Sequence, residues 1–351
     1  MSRLWRALMV EGELPGLTVL RAEMAKQYRD GLQSFALAQN QAEIIAARIR
    51  QTGRLVMLGM GASHWTSRMA LAAYRQAGID ATAEVLSEAM RAPLATAPRV
   101  TLLTSQSGGS GEIAAYLGQQ PDHADHFGLT LNADSTLGRA VPCLIGQGGR
   151  EQGFAATRSI LLTLCLHAAI LNQLGTDIAD LLHVLNGGDP LGVPPPPEAI
   201  TSLHACSLLV MSTRGQAHSA FEAASLTFTE LARTPAMALE LGQLLHGPME
   251  MLRSDMALVL ARSVGTDAAA VTRVAEAAVS YGLTPILFDF GAHPPVEGAT
   301  IIALAPRTGL AAVATLLPAV QRLAIEAAAA RVGESFGTPL RSTKVTDGEA
   351  P

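Results

Sequence analysis

Short apolar runs bounded by turn residues alternate with longer stretches of helical periodicity along most of this chain. Such alternation marks parallel βαβ units, in which each strand is buried on both faces and each return passes through a helix. In the first half the runs predict strands near 54–59, 81–85, 98–104, 126–131 and 141–144, and a long helix over roughly 154–173. The stretch NGGDPLGVPPPP, from Asn186 to Pro197, interrupts the pattern. Consecutive prolines cannot continue a helix or a central strand, and they favour an extended spacer. A second series follows, with strands near 206–211, 256–261, 284–288 and 299–304 and a closing helix at about 309–331. The expected fold class is α/β, as two domains that each hold a mainly parallel sheet with helices on both faces.

The halves read as copies. VMLGMGASH (Val56–His64) aligns with VMSTRGQAH (Val210–His218), and VTLLTSQSGGS from Val100 aligns with MALVLARSVGT from Met256 in the same order. Matches in one order at similar spacing predict a duplicated domain. In this alignment Ser63 and Ser105 become Ala217 and Ala261, while Gln106 becomes Arg262. Hydroxyls kept in one copy only predict a single ligand cradle, in the first half.

Composition narrows the classes. Of the 351 residues, 49% are hydrophobic and 16% charged, enough apolar material for two cores and too much for disorder. The formal net charge of -5 leaves no electrostatic footprint for nucleic acid or an anionic membrane, so neither is expected as a partner. Cys143, Cys165 and Cys206 are widely spaced with no CxxC pair, which fits a reducing cytosol. The N-terminus lacks the uninterrupted apolar core of a signal peptide. The apolar stretch Ser159–Leu174 is broken by Thr163, His167, Asn172 and Gln173, which suits a buried core helix better than a membrane span. A soluble, cytoplasmic protein is expected.

The candidate chemistry lies in Thr104-Ser-Gln-Ser-Gly-Gly-Ser-Gly-Glu112, between an apolar strand and a helical pattern. Open α/β sheets bind ligands at such strand ends, and free N–H groups at a helix start favour phosphate. Ser105, Ser107 and Ser110 can donate hydroxyls, Gln106 an amide, and the glycines let the backbone approach closely. A plain polar turn with Ser110 as N-cap is the competing structural reading. Gly59-Met-Gly-Ala-Ser63 also follows a strand and opens a helix, so Gly61 and Ser63 should reach the same sheet edge. A dinucleotide fingerprint with Glu84 on the ribose is the alternative there, although His64 stands where that pattern has its third glycine.

TSQSGGSGE resembles the phosphate-binding signature of SIS (sugar isomerase) domains. EQGFAATRS (Glu151–Ser159), FEAASLTFTE (Phe221–Glu230), LGQLLHGP (Leu241–Pro248) and TPLRSTKVT (Thr338–Thr346) extend the resemblance over roughly residues 30–346. The chain is similar to tandem-SIS enzymes: the isomerase half of glucosamine-6-phosphate synthase and stand-alone phosphosugar isomerases, deaminases and deglycases. The resemblance implies two flavodoxin-like three-layer SIS domains. Their expected bounds are 31–190 (with the cradle) and 199–332, with a helical segment at 1–30, a Pro-rich linker at 191–198 and a tail over the active site at 333–351. It implies phosphate contacts from Ser63, Ser105, Gln106, Ser107 and Ser110, and sugar contacts from Gly61, Ala155, Ala156 and Thr157. It assigns proton transfer between C1 and C2 to Glu230, ring opening to His246 from the partner subunit of a homodimer, and a lysine on the closing tail to Lys344.

The expected function is that of a phosphosugar isomerase or deaminase acting on an (amino)sugar 6-phosphate by aldose–ketose proton transfer. Enediol chemistry needs a carboxylate at C1 and C2, an acid–base group at the ring oxygen and a cation for developing charge. No cofactor or metal is demanded. Residue 2 is Ser, and the first SIS strand begins near 54, so no glutaminase domain is expected. Thr227 stands where the family often has lysine, Gln243 where the synthase has glutamate, and Glu222 lies one residue further from Glu230 than the family's upstream glutamate. Arg158 replaces a lysine and is expected to keep that cation. His123-Ala-Asp-His126 has ligand-like spacing, but a surface turn is favoured over a metal site. A non-catalytic sugar-phosphate sensor and a nucleotide-dependent α/β enzyme remain as rival readings.

Overall fold

The computed structural model describes residues 14–94, 97–120, 122–291 and 293–341. Its first half contains α1 (Pro15–Met24), α2 (Gln27–Thr52), β1 (Arg54–Gly59), α3 (Ala62–Gln76), β2 (Asp80–Val85), α4 (Leu86–Arg91) and β3 (Val100–Thr104). These are followed by α5 (Gly111–Gln119), β4 (His126–Thr130), α6 (Thr136–Ala140), β5 (Cys143–Ile145), α7 (Arg158–Gln173) and α8 (Ala179–Gly187). The second half holds α9 (Pro197–Ala205), β6 (Leu209–Thr213), α10 (Ala217–Ala232), β7 (Ala236–Glu240), α11 (Leu241–Leu245) and β8 (Ala257–Arg262). After them come α12 (Ala268–Ser280), β9 (Ile286–Asp289), β10 (Thr300–Ala303) and α13 (Gly309–Val332).

Each sheet has five parallel strands, in the orders β2-β1-β3-β4-β5 and β10-β9-β8-β6-β7. Read in chain order, these are the same topology twice, so the duplication is structural. Apolar residues alternate between the faces of each sheet. In the first, Val56, Leu58 and Leu103 pack with Ile113, Tyr116 and Leu137 from α5 and α6. The other face meets α2, α3 and α7. In the second sheet, Val210, Leu258, Leu260 and Leu287 pack with Leu241, Leu244, Val271 and Val274 of α11 and α12. Phe288 points the other way and meets Phe221 of α10, ring centroids 6.4 Å apart.

Strand register corrects the alignment of the copies by one residue. Leu55 pairs with Val100, whereas its counterpart Leu209 pairs with Ala257. Ser105 therefore corresponds to Arg262 rather than to Ala261. β8 carries its pairing through Arg262, at the point where the first copy has already left the sheet. The strand β7 is absent from the sequence expectation, because its AMALE is built of residues that favour helices. The proline run stays non-helical through Pro196, and Pro197 then opens α9 as a helix-starting proline.

Two compact units emerge. One contains Lys26–Glu151 and Arg158–Asn186; the other contains Gly187–Pro339 together with α1 and Gln152–Thr157. The second unit thus gathers Gln152–Thr157, which the expected bounds 31–190 place in the first domain, and α1, expected as part of a separate segment. Arg21 pairs with Glu326 at 2.8 Å, Leu20 packs at Gly153, and Gln321 donates to the Thr157 carbonyl at 3.1 Å. Among the described residues α13 is long and apolar enough to cross a membrane, yet most of it is buried against α9 and α10.

Candidate functional site

Strand order reverses between β1 and β3, so the loops leaving those strands flank the topological switch point of the first sheet. Both loops carry the predicted donors. Gly61 precedes α3 with φ 51° and ψ -127°, and Ser63 lies buried in the first turn. The Ser63 carbonyl accepts from the Ser67 hydroxyl at 3.2 Å. Across the crevice, Ser105 leaves β3 with its N–H bonded to Leu129 O at 3.1 Å, and its hydroxyl oxygen accepts the Gly108 N–H at 3.1 Å. The Gln106 carbonyl accepts from Leu131 N–H at 3.0 Å, which fixes the turn. Its side-chain amide nitrogen is buried with no hydrogen-bond partner.

Gly108 sits at φ 69°, and a side chain there would collide with Ser135 and Thr130. Only glycine satisfies both conditions. Ser107 is exposed, its hydroxyl oxygen reached by the Gly109 N–H at 3.4 Å. Ser110 is the N-cap of α5 by position, with φ -80° and ψ 146°, but its side chain makes no capping bond. Ser135 shows the contrast, because its hydroxyl caps α6 by accepting the Gly138 N–H at 3.1 Å. The turn and the N-cap position of the competing reading are present, but the capping bond from the Ser110 hydroxyl is not made. Its hydroxyl, the Gln106 amide and the first N–H groups of α5 form a set of neutral donors at a positive helix end. Sequence reasoning missed Thr130 and Ser135, which back this loop; the Asn132–Ser135 run of turn and cap residues was the available signal.

The remaining predicted residues lie elsewhere. Ala155 and Thr157 are buried and Ala156 is half-buried, in the segment that belongs to the second unit. Glu230 is exposed in the last turn of α10, and His246 is exposed at the C-terminal cap of α11. Lys344 lies outside the described residues. Arg158 does not supply a free cation. Its guanidinium is buried against Asp30 at 3.0 Å and donates to the carbonyls of Gln147 (3.1 Å) and Gly149 (2.7 Å), so it anchors the loop before α7.

In the second sheet the equivalent edge is closed by charge. Arg262 meets Asp289 through Nε at 3.2 Å and Nη2 at 2.8 Å, and Nη1 donates to Thr272 Oγ1 and Pro294 O, each at 3.1 Å. His293 Nδ1 lies 2.8 Å from Asp289. Burial opposes the Asp289 charge, but hydrogen bonds from Arg262 and His293 and the Arg262 charge outweigh it and hold the carboxyl below its ordinary range. Above the crevice Arg214 pairs with Asp267 at 3.1 Å. Among the described residues no three His, Cys, Asp or Glu side chains are grouped to hold a metal; His123 and His126 flank a turn, with Tyr116 Oη 3.2 Å from His126 Nε2.

No family model matches the sequence, and no curated protein matches it significantly. Solved structures do match over nearly the full chain. The C-terminal domain of glucosamine-fructose-6-phosphate aminotransferase from Francisella tularensis superposes with a TM-score of 0.77 at 17% identity, covering 89% of this chain and 96% of that one. Tagatose-6-phosphate ketose/aldose isomerase from Escherichia coli gives 0.78 at 16% identity, covering 92% and 96%. Glucosamine-6-phosphate deaminase from Thermotoga maritima gives 0.67 at 16%, covering 91% and 99%. At these identities the likeness speaks for architecture. The chain has the fold of the tandem-SIS sugar-isomerase proteins, two flavodoxin-like domains in one polypeptide.

Proposed function

We propose that this chain is a phosphosugar isomerase whose substrate is an (amino)sugar 6-phosphate held by its phosphate in the Ser105–Ser110 loop. The observation that carries the reading is a neutral donor set at a switch point with donors left over. The Gln106 amide nitrogen is buried without a partner, and the Ser110 hydroxyl declines the cap its position offers. A buried donor without an acceptor costs about 1–3 kcal/mol, a penalty that a phosphate oxygen would remove. Structural neighbours that act on tagatose 6-phosphate and glucosamine 6-phosphate support the same substrate class.

In the proposed reaction His246 opens the sugar ring, and Glu230 takes the proton from C2 of the aldose and returns it to C1 of the enediol, giving the ketose. Lys344 balances charge that develops on the sugar oxygens. Loss of ammonia from a 2-amino substrate follows the same proton transfer, with water adding to the resulting imine.

The topology of the second unit supports a shared site. Glu230 ends α10 on the sheet face that carries Phe288, near the start of β7, whereas His246 follows the far end of β7 through α11, which packs on the opposite face. With β7 and the sheet lying between these two positions, the topology supports the reading that two copies of the chain supply the pair, as in a homodimer. Incubation with hexose and hexosamine 6-phosphates, following ketose formation and ammonia release, tests the reaction. Turnover that falls by about 10²–10⁴ in Glu230→Gln is expected. Mixed dimers of Glu230→Ala and His246→Ala chains should recover part of the activity; no recovery counts against sharing.

Thr227 favours a second reading. Its hydroxyl is bonded to Ala223 O at 3.1 Å, so the place of the family's lysine holds no cation. A sugar-phosphate sensor would show thermal stabilisation by these ligands and no turnover of any of them.

A further inference from the structure

The two sheets differ at one further position, the last residue of β4 in the first and of β9 in the second. Thr104 pairs with Leu129, which puts Thr130 beside Ser105; Arg262 pairs with Asp289, so Asp289 is the counterpart of Thr130. Both residues are buried. Asp289 collects donors. Two nitrogens of Arg262 and the Gly291 N–H (3.3 Å) donate to it, and His293 Nδ1 lies 2.8 Å away. Thr130 collects none from a side chain. Its hydroxyl oxygen accepts the Asn132 N–H at 3.2 Å and donates to the Gln106 carbonyl at 3.4 Å. It also lies against Gly108, where an added side chain would run into it. The Leu131 N–H reaches the same Gln106 carbonyl at 3.0 Å, and the Leu137 N–H holds the Gly108 carbonyl at 2.9 Å. Thr130 is thus satisfied by main-chain groups of its own turn and of the serine loop, and it brings no charge. The edge with the buried carboxylate has its donors engaged, and the edge with the hydroxyl keeps the Gln106 amide nitrogen over.

We propose that Thr130 is the specificity-determining residue of the first edge: a neutral hydroxyl against the serine loop reserves that loop's donors for a dianion from solution, inorganic phosphate or a phosphate ester. The inference rests on the reading of the loop as a phosphate cradle and supplies the reason it admits that charge. A carboxylate at position 130 would act in two ways. It would compete for the loop's N–H and amide donors. It would also set a negative charge against the loop that holds the dianion, where burial leaves little water to screen the repulsion. A methyl in place of the hydroxyl would act differently. The Asn132 N–H would lose its acceptor and the Gln106 carbonyl one of its two ties, so the loop would lose order without gaining repulsion.

Calorimetric titration of the full chain with inorganic phosphate and with fructose 6-phosphate tests this. Thr130→Asp and Thr130→Asn match in size and differ by one charge. The Asp variant should bind both ligands at least about 100-fold more weakly than the Asn variant. Thr130→Val should weaken them about five- to tenfold, and Thr130→Ser, which keeps the hydroxyl, should bind within about twofold of the unmodified chain. The Val and Ser variants carry the test alone if the Asp variant fails to fold. Equal affinities of the Asp and Asn variants, a Val variant that binds as tightly as the unmodified chain, or a Ser variant as weak as Val would overturn the proposal and leave the cradle standing. No binding of either ligand to the unmodified chain would overturn the cradle and the proposal together.

Discussion

The C-terminal edges of the two sheets share one topology and solve opposite problems. In the first, the chain leaves β3 at Ser105 and turns through neutral donors that retain unused capacity. In the second, the residue at that register position is Arg262, still in the strand, and every nitrogen of its guanidinium donates, to Asp289, Thr272 or Pro294. The second edge carries its own anion. The carboxylate is that of Asp289, at the register position of Thr130 in the first sheet, and burial of both partners makes the pair hard to open. The difference teaches that a duplicated fold can leave donors unpaired at one sheet edge and close the other with an internal salt bridge, with no change in strand order.

The comparison breaks most visibly if Asp289 is removed. Asp289→Ala leaves Arg262 buried and uncompensated, and unfolding in urea should lose about 3–5 kcal/mol. Excess formate or acetate should restore part of it, because either can re-enter the vacated place. A loss below about 1 kcal/mol would mean that the second edge is not held by charge. At the first edge the effect should fall on binding instead. Ser105→Ala with Ser107→Ala should weaken sugar-phosphate binding by about 1.5–3 kcal/mol per lost bond in calorimetry, with stability changed by about 1 kcal/mol or less. Ser263→Ala in the second copy should leave binding unchanged.

A smaller contrast separates an ionised buried pair from a neutral one. The second domain buries Arg262 with Asp289, whereas the first buries Tyr74 with His167, Oη and Nδ1 3.2 Å apart. Burial drives His167 down to about 3. The unfolded chain takes up that proton near pH 6.5 and the folded one does not, so the stability this site contributes is complete above about 6.5 and declines as pH falls towards 3. The slope should approach about 1.4 kcal/mol per pH unit, and His167→Gln should flatten it in urea titrations between pH 6.5 and 4.

Much of this arrangement is legible in the residues alone. The β-rich apolar runs placed nine strands, because buried parallel strands need continuous apolar sequence. The serine loop was visible as a polar, glycine-bearing break between a strand and a helix. What stayed hidden depends on tertiary partners. β7 is an edge strand whose composition favours a helix, and only pairing with β6 decides it. Arg158 looks like a site cation until Asp30, far off in sequence, claims it. The one-residue offset between Ser105 and Arg262 is a matter of register, which apolar runs of similar length do not specify.

A crystal structure of the protein soaked with glucosamine 6-phosphate or fructose 6-phosphate tests the central claim most directly. The phosphate should lie within hydrogen-bond distance of Ser63, Ser105, Ser107, Ser110 and the Gln106 amide, with Arg262 and Asp289 still paired. A phosphate seated on Arg214 or Arg262, or a vacant serine loop beside a bound sugar, would contradict it.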